Sequence, residues 1–177
     1  VVPDMITMAK GLTSAYLPLS AVAMNDRIFD HFRTNVFYGG LTYSAHPLCL
    51  AAALATIRVI EEDDLVGNAR RMGRVLAELH DELKAEHPAI GDVRSIGLLG
   101  CIELVKDRVS KEPLAPYTGG GDVMPKIAAY LRQHGVYTYV WRNLLHTNPP
   151  LCVTEAELRE VMAIVNDALA IADAAIG

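Results

Sequence analysis

The sequence predicts an α/β segment followed by a small α+β domain. Two short apolar runs, residues 5–9 and 19–24, lie close together near the start and read as buried strands. Leu65, Ala69, Met72, Leu76, Leu79 and Leu83 then recur at 4-3-4-3-4 spacing, the stripe of a long amphipathic helix. Beyond it, strand and helix signals alternate down to a capped final helix. That order fits helices covering one side of a small sheet. A boundary after residue 62 divides the 177 residues into segments 1–62 and 63–177.

Composition narrows the function classes. The chain is 51% hydrophobic and 21% charged, a balance that builds a core and argues against disorder. Its net charge is -5 and no run of Lys or Arg stands out, which argues against nucleic acid or an anionic membrane as partner. No apolar run is long enough to span a membrane. Cys49, Cys101 and Cys152 are odd in number, widely spaced and in apolar contexts. They read as free, buried thiols of a reducing, cytoplasmic setting, with no disulfide framework and no zinc site. The six methionines read as core filling, with no metal pattern. Val1-Val2-Pro3-Asp4 lacks an initiating Met and runs at once into an apolar strand, so the sequence is expected to begin inside a larger protein.

The elements follow in order. The first strand ends at Lys10-Gly11. After the second, Asn25 caps a short helix over 26–32. Gly39-Gly40 and Thr42-Tyr43-Ser44 lead to Pro47, which suits the first turn of a helix reaching about Glu61. Its Ala and Leu content predicts a mostly buried helix. After the long helix, residues 93–105 are strand-like, with Gly97 and Gly100 as bulge or close-approach points, and Lys106-Asp107-Arg108 ends the strand. A loop closed by Gly119-Gly120-Gly121 leads to Asp122, which caps a helix that stops at Gly135. Residues 136–140 read as a strand, Pro149-Pro150 as a turn and 151–153 as a last short strand. Thr154 to Glu157 is a capping box, opening a helix that buries Leu158, Met162, Val165, Leu169 and Ala172.

Lys10 is the chemical focus. Lysine is ordinarily a solvated surface residue. This one ends an apolar strand before a Gly, and in open α/β sheets ligands gather at the carboxyl ends of strands. Apolar surroundings disfavour an ammonium, and a neutral amine attacks aldehydes. The wider string runs from Pro3-Asp4 through Ala9-Lys10-Gly11-Leu12 to Leu17-Pro18-Leu19-Ser20-Ala21. It resembles the cofactor-lysine segment of the class III aminotransferases, which are fold-type I pyridoxal-phosphate enzymes. Gly40-Leu41-Thr42-Tyr43-Ser44-Ala45-His46-Pro47 resembles the family's next motif. Gly97 to Leu104 resembles its small-domain strand, and Asn148-Pro149-Pro150-Leu151 the stretch before its last helix. Each match alone is weak; the four stand in the right order.

That resemblance implies the end of the large pyridoxal-phosphate domain over 1–62 and the small C-terminal domain over 63–177. It implies that Lys10 holds pyridoxal 5'-phosphate as a Schiff base and then acts as the base. The family threonine matching Thr42 binds the cofactor phosphate of the neighbouring subunit. A hydroxyl and free N–H groups ahead of a helix suit a dianion, whereas a simple cap or turn is the plainer reading of Thr42. Tyr43 and Ser44 are candidates for further cofactor contacts, and His46 reads as structural. The implied partners are an amine donor, a keto acid and a second copy of the chain, in a homodimer.

Many family members place an arginine on the strand before the Pro-Pro turn, where it grips a substrate carboxylate. They read Val-Arg-Trp; this sequence reads Val140-Trp141-Arg142. A one-residue shift along a strand turns a side chain to the other face. Either the strand carries a bulge, or Arg142 misses the substrate and Trp141 lines the pocket. The family's aspartate for the pyridine nitrogen and its same-subunit phosphate loop would lie before position 1. The expected activity is transfer of an amino group from an amine or ω-amino acid to a keto acid such as pyruvate or 2-oxoglutarate. The alternatives are a non-catalytic piece that folds and dimerises, or an aminomutase or decarboxylase on the same scaffold.

Overall fold

A computed structural model describes residues 1–176. The chain divides into two compact units, Val1–Asp64 and Leu65–Gly177.

In the first unit, β1 (Met5–Met8) pairs antiparallel with β2 (Ala21–Met24), Met5 opposite Met24 and Met8 opposite Ala21. Asn25 caps α1 (Asp26–His31): its side-chain oxygen accepts from the Ile28 N–H at 3.1 Å. Asp4 ties this corner down, accepting from Asn25 Nδ2 at 2.6 Å and pairing with Arg27 at 2.8 Å. α2 (Pro47–Glu62) begins on Pro47, as a missing N–H allows at a first turn. Two expectations need correction here. Every residue of β1 is exposed, and Ala53 is the one buried residue of α2. Leu48, Leu50, Leu54, Ile57 and Val59 stay exposed. A two-stranded hairpin and short helices offer too little surface to cover a helix that is apolar on most sides.

The second unit has its own core. α3 (Leu65–Glu86) lies against β3 (Ile90–Ile96), and the sheet runs in the order β3, β4 (Leu99–Asp107), β7 (Leu144–Thr147), β6 (Val140–Trp141). All its pairs are antiparallel, and β5 (Glu112–Pro113) joins the end of β4. β4 alternates: Gly100, Ile102 and Leu104 are buried, whereas Leu99 is exposed and Cys101 and Glu103 are half-buried. α4 (Val123–Gln133) and α5 (Glu155–Asp173) pack on each other and fill the core with Ile127, Leu131, Leu158, Met162 and Leu169. The predicted stripe on α5 is buried at all five positions. Its capping box is complete: Thr154 Oγ1 accepts from the Glu157 N–H, and Glu157 accepts from the Thr154 N–H at 2.9 Å.

Other expectations fail locally. Residues 93–105 form a hairpin instead of one strand, turning at Gly97 with φ +55. The register shifts in the sheet lie between Ile90 and Asp92 and between Val105 and Asp107. Strand structure expected over 136–140 is confined to Val140–Trp141, and 151–153 contains no strand. The missing sheet partner is β7, whose Leu145 and Thr147 are buried between neighbouring strands. Asp122 makes no side-chain cap; its carboxylate pairs with Lys126 instead. Cys152 is exposed and Cys49 and Cys101 are half-buried, so the thiols are free without being fully buried. Met5 and Met8 are exposed, unlike the core-filling Met124 and Met162.

Two close contacts yield predictions. A Cβ added at Gly73 would lie 2.5 Å from the Gly97 Cα, so α3 meets the β3–β4 turn backbone to backbone. Gly73→Ala gains helix propensity of up to about 1 kcal/mol but forces that contact apart. The expected net effect in urea unfolding is a loss of about 1–3 kcal/mol; a stabilised variant would contradict the packing.

His80 is buried in α3, its Nε2 lying 2.9 Å from Thr147 Oγ1 and its Nδ1 without a hydrogen-bond partner. Burial pushes the imidazole pKa down, with Asp81 opposing the shift. The fold therefore favours the neutral ring. That stabilisation is complete above the ordinary histidine value, about 6.5, and is lost as pH falls toward the lower folded value. The melting temperature should drop on acidification through this range, and His80→Gln should flatten the drop. A parallel profile in the variant would clear His80 as the cause.

Candidate active site

Lys10 follows the last residue of β1 by two positions. Ala9 is extended, φ -158 and ψ -163, and Lys10 turns abruptly into the left-handed region, φ 53. A 3-10 turn runs over Lys10–Thr13, and Ser14 and Ala15 are also left-handed, φ 49 and 61. Three non-glycine residues in this region within six positions mark a strained loop. Thr13 fastens it: the side chain is buried and its hydroxyl donates to the Leu17 carbonyl at 2.5 Å. The loop curls around an open concavity of about 640 Å³ lined by Lys10, Tyr16, Leu17, Pro18 and Ser20, among others.

Two premises of the sequence argument are not met within this unit. Lys10 is exposed, so the apolar surroundings expected to desolvate its amine are not supplied by residues 1–64. β1 is half of an antiparallel pair, so its end is not the carboxyl edge of a parallel sheet. The amine itself has no hydrogen bond or ion pair among the described residues.

Thr42 and Tyr43 occupy the turn before α2, where the Ser44 N–H donates to the Leu41 carbonyl at 3.0 Å. Both are exposed, and Tyr43 tilts toward the His46 ring at 6.2 Å between centroids. His46 is the N-cap residue but makes no side-chain cap, and no acidic residue stands in the first turn. The helix therefore opens with free N–H groups and an unbalanced positive dipole end.

In the second unit, Trp141 pairs with Leu144, which leaves Arg142 and Asn143 as a two-residue hairpin loop. Arg142 is left-handed, φ 57. The β6–β7 register carries no bulge, and Arg142 stands at the hairpin tip and not on the strand. From there its guanidinium stacks on two rings, with Cζ 3.9 Å from the Trp141 ring centre and 3.2 Å from that of Tyr117. The three side chains line a cavity of about 450 Å³ beside Gly119, Gly120 and Gly121. Tyr117 was not legible from sequence, because a lone loop tyrosine carries no local signal of what it will touch. Lys10, Thr42 and Tyr43 thus belong to the first unit, and Arg142 and Trp141 to the second.

Residues 1–169 match the family model described as aminotransferase class-III. The chain belongs to the class III aminotransferases. This class III chain is 38% identical over 174 residues to the uncharacterized aminotransferase y4uB of Sinorhizobium fredii, covering 94% of itself and 37% of that protein. It is 35% identical over 186 residues to a taurine–pyruvate aminotransferase of Bilophila wadsworthia, covering 94% of itself and 38% of that protein. Among solved structures, it superposes at TM-score 0.91 and 34% identity on the taurine:2-oxoglutarate aminotransferase of Bifidobacterium kashiwanohense, solved with PLP and glutamate. That match covers 98% of this chain and 39% of the other. The expected fold class, part of the pyridoxal-phosphate transferase fold, agrees with these matches. The chain spans less than two-fifths of the length of these relatives. Among the described residues, no helix is long and apolar enough to cross a membrane.

Proposed function

We propose that residues 1–62 end the cofactor domain of a pyridoxal-phosphate-dependent transaminase and that residues 63–177 form its small domain. The whole protein moves an amino group from an amine or ω-amino acid to a keto acid such as pyruvate or 2-oxoglutarate. One observation carries this reading: the Lys10 amine, at a strained strand end over a concavity, has no partner of its own. Family membership supports it, as do relatives named for taurine, pyruvate and 2-oxoglutarate.

The residues present fit the cofactor chemically. An unpaired primary amine suits an aldehyde. The Thr42 hydroxyl and the uncapped first turn of α2 suit a phosphate dianion. Pyridoxal 5'-phosphate, when bound, supplies that aldehyde and a ring that accepts electrons. Lys10 Nζ would be the group that holds it and the base that moves the proton at the substrate α-carbon. Thr42 would donate its hydroxyl proton toward the phosphate of the neighbouring subunit, with a homodimer as the working form, and Tyr43 would border the same group. Arg142 presents its N–H edges to a substrate carboxylate, and Trp141 forms an apolar wall. The three free thiols favour a cytoplasmic setting.

The full native chain, loaded with pyridoxal 5'-phosphate and reduced with borohydride, should carry the cofactor on the Lys10 peptide. Lys10→Ala should lose that label and at least about 100-fold in kcat. A label on a different lysine would overturn the assignment. Labelling of Lys10 without turnover of any amine would favour the non-catalytic reading.

A further inference from the structure

We infer that Tyr117 is a positioning residue, its ring face holding the Arg142 guanidinium ready for a carboxylate. This rests on the reading of Arg142 as the group that grips the substrate carboxylate. The geometry supplies the rest. Arg142 has no hydrogen bond or ion pair among the described residues, and its recorded contacts are with the faces of Tyr117 and Trp141. Stacking occupies the face of a guanidinium and leaves its in-plane N–H edges free, and those edges make a two-pronged grip on a carboxylate.

The two rings differ in what they do. Trp141 is the chain neighbour of Arg142 and follows it wherever the hairpin tip goes. Tyr117 comes from the loop between β5 and α4, so its contact ties the tip to another part of the unit. The loop is shaped to place that ring. The Gly119 N–H donates to the Pro116 carbonyl at 3.0 Å, which puts Tyr117 at the corner of a tight turn. Gly119, Gly120 and Gly121 then follow with φ of +86, +110 and +83, a run that side-chain-bearing residues rarely adopt. Tyr117 is 73% exposed, so its ring contributes little to the core. A free arginine samples many rotamers and loses that freedom on binding; a stacked one has lost part of it already.

The test compares Arg142→Leu, Tyr117→Leu and Tyr117→Phe in the full native chain loaded with cofactor. Two readouts are taken. One is the KM for a keto acid relative to the aldehyde of equal length. The other is calorimetric affinity for propionate, which requires no turnover. Tyr117→Leu should raise the keto acid KM and weaken propionate about two- to fivefold, with the aldehyde KM unmoved. Tyr117→Phe keeps the ring face and should restore native values. If Arg142→Leu changes both readouts while Tyr117→Leu changes neither, the positioning role is overturned and the carboxylate reading survives. If Arg142→Leu changes neither, the carboxylate reading itself fails. Equal losses in Tyr117→Phe and Tyr117→Leu would assign the effect to the hydroxyl and overturn the stacking argument.

Discussion

A single backbone corner decides where the Lys10 amine stands. Ala9 arrives extended, Lys10 leaves in the left-handed region, and the chain curls back through Ser14 and Ala15 in the same conformation. Each such residue costs on the order of 1–2 kcal/mol, so the loop holds its shape only because its surroundings insist on it. The buried Thr13 hydroxyl, donating to Leu17, is one such restraint, and the packing of the 3-10 turn against α2 is another. Strain of this kind gathers at functional sites, where it presents a reactive group that an ordinary strand end would leave pointing elsewhere.

The second unit solves a different problem with glycine. α3 and the β3–β4 turn touch through Gly73 and Gly97, and β4 passes under His80 and Thr147 only because Gly100 has no side chain. That close packing puts β4 at the middle of the sheet and lets β7 lie beside it. β7 in turn fixes the register with β6, and the register leaves Arg142 at a hairpin tip. The position of Arg142 is thus a consequence of core packing well away from the guanidinium itself.

Features encoded locally were legible in the sequence. Asn25, Pro47 and the Thr154–Glu157 box each act within one helical turn, and the structure has each helix start where they predict. The apolar stripes of α3 and α5 were legible for the same reason. What depends on neighbours was not. β7 is four residues long and earns its place only through pairing with β4 and β6. The exposure of β1 and α2 could not be read from their apolar composition, because composition says what a segment prefers and not what lies against it. At the candidate site, motif order pointed to Lys10 and Thr42. The side to which Arg142 turns, and the ring of Tyr117 that meets it, required the register of a hairpin.

The most direct test of Lys10 is a crystal structure of the full native chain grown with pyridoxal 5'-phosphate. Continuous electron density from Nζ of Lys10 to the cofactor's aldehyde carbon is the expected result. Clear density for a cofactor attached elsewhere, with Lys10 extended into solvent, would contradict it.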